Sequence, residues 1–352
     1  MRPVLAALLF LLLPLTAGAD TTLTRQGDHF AVNGQGRFLV IASYFDGVRR
    51  PSGAASSCDP QRTNTLACDF ADLKATGVDG VRVLPNWKPP YLMAADGSLN
   101  HAVLEKLVTL VDYAADAGLV VDVTFTHETV PGLTDPESYR RGPNPGCEGS
   151  GCGGIVGATA RLAGKKNVMF DLQNEWSKNG WNTSRYGSNE AILQGIRNAV
   201  KAVDPVRLVT ASTESVLSAE AKTASFVNSF GFDVLTYHGP RDCPDPCGWA
   251  ADTDGQVGRL RHHLSPSQVP VYVQEPNRYG TCVGCDSRDG YDARLESAVR
   301  RAKAAGAAAW TFHSDPGRDL STAASFLSLL QPGERTFLDR LSAATHVQWG
   351  VK

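Results

Sequence analysis

The 352-residue sequence predicts an α/β fold, a (β/α)8 barrel of the TIM class with a short N-terminal β-hairpin. Two observations predict it. Short, β-branched, continuously apolar runs alternate with amphipathic helical patterns from end to end, as expected of parallel strands covered on both faces. Eight such runs follow one another over about 310 residues, which suits one barrel rather than two domains. A doubly wound open sheet is the alternative, but no strand leads into a Gly-x-Gly-x-x-Gly turn.

In chain order, residues 1–19 come first and read as a secretory signal. Arg2 is the positive n-region, Val4 to Leu15 the apolar h-region, and Ala17-Gly18-Ala19 a small-residue cleavage site. The apolar run is short for a membrane span, and no stop-transfer charges follow. Residue 20 is Asp, not Cys, so no lipid anchor is expected there. The expectation is a secreted or periplasmic protein with a single barrel domain over residues 20–352. Thr21 to Val32, ending in Asn33-Gly34, reads as a hairpin set against the barrel base.

The strands follow. Phe38 to Tyr44, Gly80 to Leu84, Leu119 to Thr126 and Asn167 to Trp176 are the first four. Arg207 to Ala211, Asp233 to Tyr237, Val269 to Glu275 and Ala307 to Phe312 are the second four. Between them Val103-Leu104, Leu107-Val108 and Val111 repeat at helical spacing, as do Ile192, Ile196 and Val200, and Leu295, Ala298-Val299 and Ala302. Two helices close on Ala-Gly, at Ala117-Gly118 and Ala305-Gly306, a common helix stop. The Gly- and Pro-rich segment from Val130 to Gly154 is expected to shape a binding face rather than form a domain.

The 34 Lys and Arg residues nearly balance 36 Asp and Glu, and without Arg2 the ratio is 33 to 36. That balance argues against nucleic acid or an anionic membrane as partner. A monomer is expected, with no membrane association in the mature form. Eight cysteines form four close pairs: Cys58/Cys68, Cys147/Cys152, Cys243/Cys247 and Cys282/Cys285. Export favours disulfides, with local pairing the first choice. A four-thiolate zinc site from the last two pairs is the alternative.

Polar side chains stand at nearly every C-terminal strand end, the face where such barrels place their active sites. They include Tyr44 and Asp46, Arg82, His127 and Glu128, Asn174 and Glu175, Glu214, His238, Glu275 and His313. One such residue alone is a solvated loop side chain; the whole set converges on one rim. Glu175 and Glu275 close the fourth and seventh strands, and a carboxyl pair on one rim is equipment for cleaving a glycosidic bond. Aromatics at or beyond strand ends could stack on pyranose rings: Trp87, Tyr91, Trp176, Trp181, Tyr237, Trp249, Tyr279 and Trp310. Core packing is the competing reading for Trp310, and Trp181 and Trp249 are expected to be the more exposed.

These motifs resemble the clan A glycoside hydrolases, closest in style to the family 5 cellulases and mannanases. The resemblance implies that Asn174-Glu175 is the strand-four Asn-Glu with Glu175 as acid/base, and that Glu275 is the strand-seven nucleophile. It implies that Arg82 holds the nucleophile ionised, that His127 and His238 lie near the substrate, and that Trp310 floors the sugar subsite. The strand-six His-x-Tyr of the family is here His238-Gly239-Pro240, and Tyr237 or Tyr279 could replace its Tyr. An oligo- or polysaccharide is the implied partner. No cofactor and no metal is called for. Two rivals are a metal-dependent barrel hydrolase using His127, His238 and His313 with acids, and a glycan-binding barrel without catalysis.

Overall fold

A computed structural model describes residues 21–53, 58, 65–147, 149, 151–214, 220–239, 253–276, 291–321 and 324–345. The chain opens with β1 (Leu23–Gln26), β2 (His29–Val32) and β3 (Gln35–Arg37), an antiparallel sheet in that order. Eight parallel strands follow: β4 (Leu39–Ser43), β5 (Gly80–Val83), β6 (Val120–Thr124), β7 (Val168–Asp171), β8 (Leu208–Thr210), β9 (Leu235–His238), β10 (Val271–Glu275) and β11 (Ala309–Phe312). Helices α1 (Leu66–Ala75), α2 (His101–Asp116), α3 (Pro136–Arg141), α4 (Gly154–Leu162), α5 (Thr183–Tyr186) and α6 (Asn189–Val203) cover the first half. Helices α7 (Glu220–Phe230), α8 (Thr253–Leu264), α9 (Tyr291–Ala304), α10 (Phe326–Leu329) and α11 (Pro332–Thr345) cover the second.

The strand order β8-β7-β6-β5-β4-β11-β10-β9 runs around a (β/α)8 barrel, with every paired neighbour parallel. Closure between β8 and β9 passes through Thr213 rather than a full ladder. Thr213 bridges to Tyr237, its carbonyl accepts from His238 N at 3.0 Å, and Thr210 Oγ1 donates to Thr236 Oγ1 at 2.8 Å.

The helices form for local reasons. Asn100 caps α2 by accepting from Ala102 N and Val103 N, and Leu104, Leu107, Val108 and Val111 then bury one stripe. Gly118, at φ +72°, ends it. Ser188 caps α6, which buries Leu193, Ile196 and Val200. The main apolar core lies between the barrel wall and these helices.

The N-terminal segment is more than the expected hairpin. Asn33 and Gly34, at φ +54° and +77°, do not end it; they turn β2 into a third strand. A two-residue turn with both φ values positive matches the twist of paired strands, so Asn-Gly continues the sheet. This sheet plugs the base. Leu23, Phe30 and Val32 share a second cluster with Leu39, Val120, Met169, Leu208 and Tyr272 from the starts of barrel strands. Among the described residues no helix is long and apolar enough to cross a membrane.

Candidate active site

Strand β5 delivers Arg82 to the barrel interior. Val81 and Val83 on either side face the helices, so the period of two turns the guanidinium inward. Arg82 is fully buried. Its Nη1 pairs with Glu275 Oε1, its Nη2 donates to Asn174 Oδ1 at 2.7 Å, and its Nε donates to Thr124 Oγ1 at 2.9 Å. Asp122 and Asp171 lie 3.7 and 3.8 Å from it, and Phe45 covers it at 5.0 Å. Burial alone would make this guanidinium easier to deprotonate. The charges of Glu275, Asp122 and Asp171 outweigh it and hold the guanidinium pKa above its ordinary value.

Glu175 follows β7 with φ +50°, in the left-handed region that few non-glycine residues occupy. The surroundings fix that geometry. Ser212 supplies Oγ to Glu175 N at 3.3 Å and its carbonyl to Trp176 N at 3.0 Å. The Glu175 carbonyl accepts from Lys178 N and Asn179 N at 2.9 and 2.8 Å. A strained backbone held from several sides is typical of a functional position. The result aims the Glu175 carboxyl at His238, whose Nδ1 lies 2.9 Å from Glu175 Oε1.

Strand β10 ends on Glu275, beside β9 and its last residue His238. His238 Nε2 stands 3.7 Å from Glu275 Oε1, and His313 Nε2 stands 3.8 Å from Glu275 Oε2. One oxygen from each glutamate and a His238 nitrogen all lie within 4.8 Å of one another. The two carboxyls are therefore distinct in environment. Glu275 meets a guanidinium; Glu175 meets an imidazole. Both are buried, Glu275 at 5% and Glu175 at 9% exposure.

Beneath them lies a polar layer. Gln274 Nε2 donates to Asp122 Oδ2 at 2.7 Å and to Asp171 Oδ2 at 3.0 Å. Asp171 Oδ1 accepts from Ser212 N at 2.9 Å. Burial pushes the Asp122 carboxyl up to about 6; Arg82 opposes that rise and Asp171 adds to it. Burial also raises Asp171, against Arg82 and its hydrogen bonds.

The model of the cellulase family, glycosyl hydrolase family 5, matches residues 53–310, most of the barrel. The chain belongs to glycosyl hydrolase family 5. It is thus a glycoside hydrolase acting on O-glycosyl bonds. Solved structures with a similar fold include the endo-1,4-β-mannanase of Eisenia fetida, at 15% identity and TM-score 0.57, covering 92% of this chain and 95% of that one. The β-mannanase of the blue mussel Mytilus edulis matches at 13% identity and TM-score 0.57, covering 95% and 99%. The exo-β-1,4-mannosidase of Opitutaceae bacterium strain TAV5 matches at 15% and 0.56, covering 92% and 62%. Comparison with curated proteins finds no significant match.

In this family 5 hydrolase the aromatic expectations need correction. Trp310 is fully buried, with its ring 6.0 Å from Phe337 of α11, so it packs outside the barrel and floors no subsite. Its neighbour Thr311 faces inward, bonded to Tyr272 Oη at 2.8 Å. Tyr237 is likewise fully buried in the outer core, between inward-facing Thr236 and His238, and offers no face to substrate. Trp181, expected to be exposed, is 4% exposed and stacks on His127 with centroids 4.4 Å apart. Trp176 packs on Phe226. Trp87 and Tyr91 are partly exposed; Trp87 Nε1 donates to Arg318 O at 3.0 Å, and the Arg318 guanidinium lies 5.1 Å from its ring. Trp249 and Tyr279 lie outside the described residues.

Other rim residues also separate. His127 is buried against Trp181 and Tyr139, and burial pushes its pKa down to about 4. Glu214 is a surface group paired with Lys178 at 3.3 Å. Asp46 accepts from Leu320 N at 2.9 Å and braces the last loop. Cys58–Cys68 and Cys147–Cys152 are disulfides, with Cα atoms 5.3 and 5.5 Å apart. Cys243, Cys247, Cys282 and Cys285 lie outside the described residues. The three histidines of the metal reading do not assemble: His127 sits in its aromatic stack and His313 bonds Ser43 Oγ at 2.8 Å. Among the described residues the group that could hold a cation is Glu175, His238 and Glu275, the carboxyl pair itself.

Sequence reasoning missed Asp122, Asp171, Gln274, Ser212 and Phe45. The available signal was an acid inside two apolar strand runs, Val-Val-Asp-Val and Met-Phe-Asp-Leu, where a charge is costly unless paired. Asp135 caps α3, and Tyr139 reaches inward to bond Leu172 O at 2.6 Å.

Proposed function

We propose that this chain is a retaining glycoside hydrolase that cleaves β-linked glycans by double displacement, with Glu275 as nucleophile and Glu175 as acid/base. One observation carries the reading: an oxygen of Glu175 and an oxygen of Glu275 lie within 4.8 Å of each other, a nearest approach that suits a closely spaced pair. Retaining pairs stand about 5–5.5 Å apart, whereas inverting pairs need roughly 6.5–9.5 Å to admit a water. The asymmetry of partners supports the roles. Arg82 favours ionised Glu275, as a nucleophile requires. Glu175, beside His238, can carry the proton for the leaving oxygen.

In the first step Glu275 attacks the anomeric carbon as the glycosidic C–O bond breaks and the Glu175 proton passes to the departing oxygen. In the second, water bonds the anomeric carbon, its proton returns to Glu175, and the Glu275 ester bond breaks. Asn174, held by Arg82, is positioned for the sugar 2-hydroxyl. The β-1,4-mannan activities of the structural neighbours make mannan the first glycan to test. Export belongs to the proposal and is supported by the apolar leader over residues 4–15 and by the two disulfides. One barrel domain over residues 20–352 does the chemistry.

The test is a screen on mannan, β-glucan, xylan and aryl β-glycosides, with NMR of the first anomer released. A β anomer first is the expected result; an α anomer first overturns the nucleophile role of Glu275. Glu175→Ala is expected to cost about 10²–10⁴-fold on unactivated glycan, the usual worth of general acid catalysis. Glu275→Ala is expected to abolish nearly all turnover. Full activity in either variant sinks the assignment, and tight glycan binding with no product from wild type would favour a binding barrel.

A further inference from the structure

We propose that Gln274 is a positioning residue that locks the tautomer of His238 and so keeps a proton at the Glu175 contact. The inference rests on Glu175 as acid/base. Gln274 is fully buried, one residue before Glu275. The two ends of its amide see different chemistry. Nε2 faces Asp122 Oδ2 at 2.7 Å and Asp171 Oδ2 at 3.0 Å. Turning the amide over would set its oxygen against both carboxylates, so the aspartates fix its orientation. The oxygen end is left for His238, with Oε1 3.1 Å from Nε2. Glu275 Oε1, at 3.7 Å, is a second acceptor facing the same nitrogen.

His238 Nε2 therefore carries hydrogen. In the neutral ring the lone pair is then on Nδ1. Nδ1 is the atom 2.9 Å from Glu175 Oε1. A lone pair repels an ionised carboxylate and accepts from a protonated carboxyl. The contact is satisfied by one proton, held by Glu175 beside a neutral ring or by Nδ1 beside ionised Glu175. That is the proton the leaving oxygen needs. Once it has gone, the unprotonated contact favours its recapture from the attacking water.

Removing the amide frees the ring to place hydrogen on Nδ1 while neutral. Nδ1–H would then donate to ionised Glu175 and favour loss of the acid at lower pH. Other charges face this contact: Glu275 from β10, Arg82 from β5, Asp122 from β6, Asp171 from β7, His313 after β11, and Glu128, whose charge acts on Glu175. Asp122 and Asp171 also lose the Gln274 Nε2 bond in the variant, which would raise both carboxyls further, so the histidine tautomer signal must move together with the profile.

The test compares wild type with Gln274→Leu by pH profile of kcat/KM and by ¹⁵N NMR of histidine-labelled protein. Expected in wild type is a His238 signal with hydrogen on Nε2. Expected in Gln274→Leu is hydrogen on Nδ1, with the basic limb of the profile moved down by about one pH unit. A wild-type signal with Nδ1–H and bare Nε2 overturns the proposal, as does a variant profile of unchanged shape at reduced height. If the variant fails to fold, the wild-type tautomer decides alone. If wild type cleaves no glycan, the proposed function fails while the tautomer measurement still tests the lock.

Discussion

Arg82 couples the reacting rim to the barrel interior. One guanidinium meets Glu275, Asn174 and Thr124 and lies within 4 Å of Asp122 and Asp171. Lysine keeps the charge but cannot reproduce that fan of donors. Arg82→Lys should leave Asn174 and Glu275 free to drift, and a displacement near 1 Å costs about 10²-fold in rate. Steady-state kinetics should show that loss mostly in kcat; a variant within threefold of wild type would refute the coupling. At this scale the sequence was readable where chemistry sits at a strand end. Glu175, Glu275, Arg82 and His238 all come together as their positions implied. Asp122 and Asp171 stood out only as acids inside apolar runs, and Gln274 by nothing local, because their partners lie from 103 to 152 residues away.

The strands explain why Trp310 and Tyr237 were misplaced. A parallel strand buried on both faces is apolar throughout, so its phase is invisible in the sequence, and a slip of one residue exchanges the faces. In β11 it is Thr311, not Trp310, that faces the interior. Trp310 instead helps seat α11, together with Phe312, which stacks on Phe337 at 5.6 Å. The start of α11 carries Glu334, 1% exposed, accepting from Gln331 N at 2.9 Å. Burial, with Asp315 nearby, pushes its carboxyl from 4.5 up to about 7. A raised acid binds more protons folded than unfolded between those values, so stability falls as pH rises through the window. Glu334→Gln keeps an acceptor for Gln331 N and removes the titration. Denaturant melts should show the variant gaining on wild type from pH 4.5 to 7, to a ceiling of about 3 kcal/mol. A difference flat with pH would refute it.

Across the whole molecule the two ends of the barrel divide the work. The C-terminal rim holds the polar chemistry, and the N-terminal end holds the β1–β3 plug. That plug lies outside the family 5 match, which begins at residue 53. It is nonetheless tied in. Leu23 N donates to Lys166 O at 2.8 Å, Arg261 Nη2 donates to Asp28 O at 2.7 Å, and Phe30 meets Tyr272 edge-on at 6.5 Å. Phe30 is fully buried among residues that begin the barrel strands. Its aromatic ring fills the base below the layer in which Tyr272 bonds Thr311. Phe30→Ala would leave a cavity there, at a cost of about 3–5 kcal/mol. The active-site glutamates sit at the opposite ends of the strands, so the folded variant should keep its rate. We expect the denaturation midpoint to fall while kcat, measured well below that midpoint, stays within about twofold, since well-separated sites act nearly independently. A large kcat loss with unchanged stability would mean that the plug shapes the rim rather than supporting the barrel.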